Sequence, residues 1–136
     1  MGSEILVACS LGWIIVSGIF GFIDGVGHPK WVEDVVAASK EGDLEKHWSI
    51  YDSLKIKSIA HAHAMGFSCV AFLIGLAMKA GMIGFSESFQ TILAIALMAG
   101  IVLSSIGNRF RLVPIIAPGS ILVMLGLIIS FVGVFI

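Results

Sequence analysis

The sequence predicts an all-α integral membrane protein built as a four-helix bundle. Three observations carry that reading: the scarcity of charge, the way the charges cluster, and the shortness of two of the three connections. Of 136 residues, 58% are hydrophobic and 12% charged, and mean hydropathy is +1.06. Soluble domains hold roughly 25% charged residues. Residues 5–23, 58–78, 88–108 and 112–136 carry no Asp, Glu, Lys or Arg. A run of about 20 apolar residues crosses the hydrocarbon core as a helix. Four such runs fit and leave little chain over.

The first helix is predicted at about residues 4–24. No positively charged segment precedes it, since Met1, Gly2, Ser3 and Glu4 stand there, so it reads as a retained helix and not a cleaved signal. Ser17, Gly21 and Gly25 repeat at four-residue spacing and make a stripe on which another helix can pack closely. The second helix is predicted at 58–81, with a like stripe of Ala64, Ser68, Ala71 and Gly75. The third covers 88–107 and carries Ala96 and Gly100. The fourth spans 112–136, where Pro114 suits the first turn and Pro118 is expected to kink or loosen the helix. Short connections around 82–87 and 108–111 make sequential helices antiparallel neighbours. Cys9 and Cys69 lie inside apolar runs without CxxC spacing and read as buried thiols.

The long connection, 25–57, holds the displaced charge: five lysines and six acids. After Pro29, the residues Trp31, Val32, Val35 and Val36 share a helical face. After Asp43, a capping residue, Leu44, Trp48, Tyr51 and Leu54 or Lys55 make a second apolar-aromatic stripe. Two short amphipathic helices along the membrane surface are expected here, the second either separate from or continuous with the helix that follows. Seven of the eight Lys and Arg residues, all but Lys79, fall on the side of this connection. The positive-inside rule then puts the connection in the cytoplasm and both termini outside; a bacterial or archaeal cytoplasmic membrane is the expected setting. The formal net charge of −1 and the lack of a basic stretch speak against a nucleic-acid partner.

Antiparallel threading gathers Asp24, His28, His61, His63, Asn108, Arg109 and Arg111 at one end of the bundle. Ionisable groups in a membrane are costly and usually face the interior or a pathway. His61 and His63 are two residues apart and point about 200° away from each other on a regular helix. They therefore suit two separate roles, such as one axial haem ligand and one hydrogen-bonding residue. Gly66 leaves room beside His63 for a flat macrocycle. Arg109 and Arg111 suit propionates. Asp24 and His28 are further metal-ligand candidates. Each has a plainer reading: Asp24 as the partner of an arginine or a helix-end cap, His28 and His47 as solvated residues, Met65 as a packing residue, and the histidines as interfacial hydrogen-bond donors.

The segment His61-Ala-His63-Ala-Met65, followed by Gly66 and Phe67, resembles the His-Ala-His-x-Met segment of NnrS-type membrane proteins, which contain haem and copper. More loosely, it is similar to the second helix of haem-copper oxidase catalytic subunits, where a histidine ligates the low-spin haem. The resemblance covers one segment of one helix. It implies haem b, or else copper, held through His61, His63 and Met65, with a second axial ligand from His28, a symmetry mate or another subunit.

Three functions follow as expectations. The first is a redox-associated membrane subunit, linked through haem b or another metal to quinone or to a respiratory or oxygenase complex. The second is a non-catalytic structural subunit beside other membrane chains. The third is ion or proton transport by a homo-oligomer. No Ser-His-Asp arrangement, nucleotide-binding glycine loop or HExxH motif is present.

Overall fold

The computed structural model describes residues 1–136. Four helices follow in order: α1 (Gly2–Glu41), α2 (Leu44–Lys79), α3 (Glu87–Phe110) and α4 (Val113–Gly133). The chain has no strands, and all four helices are long and apolar enough to cross a membrane. The predicted all-α, four-helix class holds.

The first connection differs from expectation. Its two amphipathic stretches are helical, but they are not separate surface helices. Residues 25–41 continue α1 and residues 44–57 begin α2, with only Gly42 and Asp43 between them. Forty residues at 1.5 Å each extend about 60 Å, against a hydrocarbon core of about 30 Å. Close to half of α1 therefore stands beyond the apolar band, paired with the first part of α2. The turn is tight because Gly42 adopts φ 74°, the left-handed conformation. Its N–H donates to the Ser39 carbonyl and that of Asp43 to the Ala38 carbonyl, at 3.2 and 3.0 Å, the Schellman arrangement. Asp43 then caps α2, its carboxylate accepting from Lys46 N–H at 2.9 Å. Ala38 is fully buried in the extension, His47 Nδ1 meets the Val35 carbonyl at 3.2 Å, and Lys57 Nζ lies 3.8 Å from the centre of the Trp31 ring. These contacts explain why a mutual hairpin replaces two helices spread on a surface. The two apolar-aromatic stripes stay largely open, with Val32, Val36, Leu44, Trp48 and Tyr51 all exposed.

Within the membrane-crossing part, α1, α2 and α3 pack on one another, and α4 packs along α3. The stripe of Ala64, Ser68, Ala71 and Gly75 is buried as predicted. Leu6, Leu97, Ile101 and Val123 are the largest fully buried apolar side chains. Only 26 of 136 residues are buried, which leaves residues such as Ile15, Phe22, Ile92 and Phe131 outward, as hydrocarbon-facing positions should be. Cys9 and Cys69 are among the outward residues, not the buried thiols expected. Their neighbours Ser10 and Ser68 take the inward positions on the same turns.

The α3–α4 contact is made by backbone. A Cβ on Gly119 would lie 2.5 Å from Ser104 N, and one on Gly100 would lie 2.9 Å from the Gly119 carbonyl oxygen. Gly119, Gly126 and Gly133 recur every seven residues, all buried on one face of α4. Pro118 sits inside α4 without ending it.

Candidate functional site

The site is built where α1 and α2 leave the apolar band. His61 lies on the inward face of α2, one turn before buried Ala64. Its ring reaches across to α1 and lies over Gly21, where a Cβ would come within 2.5 Å of Cε1 and 3.0 Å of Nε2. Glycine is needed there for the imidazole to sit between the helices. His61 Nδ1 is 3.1 Å from the Ser17 carbonyl oxygen and 3.4 Å from Ser17 Oγ. A carbonyl only accepts, so Nδ1 carries the proton. Nε2 is then the lone-pair nitrogen, on the ring edge away from Ser17, and no protein group bonds to it.

Two cavities meet at His61 and Asp24. The first, about 560 Å³, is a groove between α1 and α2. Gly21, Gly25, His28 and Trp31 line it from α1, and Tyr51, Lys55, Lys57 and His61 from α2. A Cβ on Gly25 would meet nothing within 4 Å. Pro29 lies inside α1 and has no N–H, so the Gly25 carbonyl lacks its partner four residues on. The second cavity, about 230 Å³, lies between α1, α2 and α3, walled by Trp13, Val16, Phe20, Ile106 and Phe110.

Asp24 and Arg109 close a bidentate ion pair from α1 to α3, with contacts of 2.5 and 3.1 Å. Their side chains are 16% and 23% exposed, and the guanidinium carbon lies 5.3 Å from the Phe20 ring centre. The plain reading of Asp24, partner to an arginine, is the one observed. Trp13 Nε1 donates to Ser105 Oγ at 3.4 Å beside the same cavity.

No family model, curated protein or solved structure matches this chain. The chemistry of the site is therefore read from its own side chains.

Of the residues singled out in the sequence, Asp24, His28 and His61 line one cavity, and Arg109 borders the adjoining one. His63 lines neither. Its Nδ1 donates to the Ile59 carbonyl one turn back at 2.9 Å, and its ring packs edge-on to Phe67. Met65 is half-buried and, like Gly66, lines neither cavity. Arg111 caps α3 in the left-handed conformation, φ 57°, and is exposed. No three His, Cys, Asp or Glu side chains converge tightly enough to share one metal ion. Sequence reasoning passed over Trp13, Trp31, Tyr51, Lys55 and Lys57 as site residues. The apolar-aromatic stripes held the signal for Trp31 and Tyr51, but a stripe does not say whether it meets lipid or another helix.

Proposed function

We propose that the protein is an electron-transferring subunit of a membrane complex that would hold haem b in the α1–α2 cavity through His61. The observation that carries this reading is the orientation of His61. Nδ1–H is committed to the Ser17 carbonyl and Nε2 is left free, the arrangement in which a second partner fixes the tautomer of a metal-binding histidine. The fit of the remaining residues supports it. A porphyrin brings four nitrogens of its own, so it suits a cavity that offers one or two imidazoles and no three-residue metal cluster. A bare copper ion is favoured less for the same reason. His28, on the same cavity, is the second residue that would hold it. The cavity's 560 Å³ falls in the usual range for ligand sites.

Lys55 and Lys57 at this cavity are the cations placed for propionates. Arg109, which the resemblance implies for that role, is engaged by Asp24. Haem, when bound, supplies one-electron chemistry. The chain's own part is to fix the imidazole tautomer and hold carboxylates at the lysines. The lysine and arginine bias supports a cytoplasmic position for the α1–α2 extension, with both termini outside.

The test is an absorption spectrum with iron analysis on detergent-purified protein. A Soret band is expected, lost in His61→Ala and retained in His63→Ala. Colourless, iron-free protein from haem-replete cells overturns the proposal.

A further inference from the structure

The second cavity has a different chemistry from the first. It is bounded by aromatic and branched apolar side chains, with the Asp24–Arg109 pair at one side. Three features select its ligand. First, it lies in the membrane-crossing part of α1 and α3, so the ligand arrives from the hydrocarbon and is itself lipophilic. Second, the guanidinium has five N–H donors and no acceptor. Asp24 accepts from Nη1 and Nη2, while Nε donates to no protein group, and no buried side-chain nitrogen or oxygen lacks a partner. Nε is thus reachable from outside the protein, and what it can take is an acceptor oxygen. Third, Asp24 already neutralises Arg109. A carboxylate or phosphate ligand would bring net negative charge into a region where charge is costly, so the acceptor is an uncharged carbonyl. Trp13, Phe20 and Phe110 make the walls suited to a flat ring, which stacks on aromatic faces.

We infer that this cavity binds the ring of a lipid-soluble quinone, one carbonyl oxygen accepting from Arg109. The inference deepens the redox reading by naming its membrane partner, and the test stands apart from it. His61 walls both cavities, so a quinone here lies against the residue assigned to the haem iron.

The experiment uses the full chain in phosphatidylcholine nanodiscs, with Trp31→Phe and Trp48→Phe so that Trp13 is the sole indole. Ubiquinone with a ten-carbon tail is the titrant, and quenching of Trp13 emission is the readout. Saturable quenching is expected. Val16→Phe, which fills the cavity, abolishes the saturable part. Arg109→Lys, which keeps the charge and loses the fork of donors, weakens it at least threefold and decides the matter should Val16→Phe fail to fold. Quenching that only rises in proportion to quinone in the bilayer, or that is unchanged in either folded variant, overturns the inference. The two proposals fail separately. With protein from haem-deficient cells, where no porphyrin quenches Trp13, saturable quenching keeps the quinone site whatever the colour of the haem-replete protein, and its absence removes the quinone site alone.

Discussion

A methyl group on Gly21 would fall 2.5 Å from His61 Cε1 and 2.9 Å from Nδ1. The ring would have to swing off the Ser17 carbonyl, losing a partly buried hydrogen bond. Gly21→Ala should therefore cost about 1–2 kcal/mol and weaken or shift the Soret band. Unchanged thermal unfolding and spectrum would show that the cradle is not needed. Arg111 leads the other way. It holds a left-handed conformation that costs an ordinary residue about 1–2 kcal/mol, and its carbonyl-capping role needs only backbone. Arg111→Gly should raise the melting temperature and leave any bound chromophore in place. A loss of colour in that variant would return Arg111 to the site. The histidine spacing was legible in the sequence, because ring side chains two residues apart on a helix point about 200° away from each other. Which histidine turns inward was not, since that depended on Gly21 lying opposite His61.

At the scale of elements, the pair from Asp24 to Arg109 ties α1 to α3 near the point where both leave the apolar band. Removing one member leaves a half-buried charge without its partner. Asp24→Ala should destabilise by about 2–3 kcal/mol, below the 3–5 of a fully buried pair because these side chains keep some exposure. The double variant Asp24→Ala with Arg109→Ala should be more stable than Asp24→Ala alone. Additive losses in chemical unfolding would deny the coupling. The small-residue stripes of the second and third helices were visible in advance and pack as expected. The seven-residue glycine repeat of α4 was equally visible, yet its meaning depends on what lies opposite: Gly100 and Ser104 at Gly119, Leu97 at Gly126, and Ile83 and Phe85 at Gly133.

For the molecule as a whole, the uncharged runs sufficed for the helix count and the membrane class, since hydrocarbon admits few other solutions. They did not give the lengths of α1 and α2. Charge marks where a helix leaves the apolar band, not where it ends, and so Asp24 and Lys57 looked like termini. The continuous hairpin makes the orientation testable. With Cys9 and Cys69 replaced by alanine, a single cysteine at Ser39, which is exposed near the tip, should react with a membrane-impermeant maleimide from the cytoplasmic side only. Labelling in intact cells, but not in inverted vesicles, would reverse the proposed topology.

Pro29 gains weight once α1 is seen as a single rod. From the lipid to Glu41 the rod has no loop in which a sideways push on its tip would dissipate. Its one missing rung is at the Gly25 carbonyl, among the residues that line the larger cavity. That joint stands in the wall of the larger cavity, the same wall that carries His28 and faces His61.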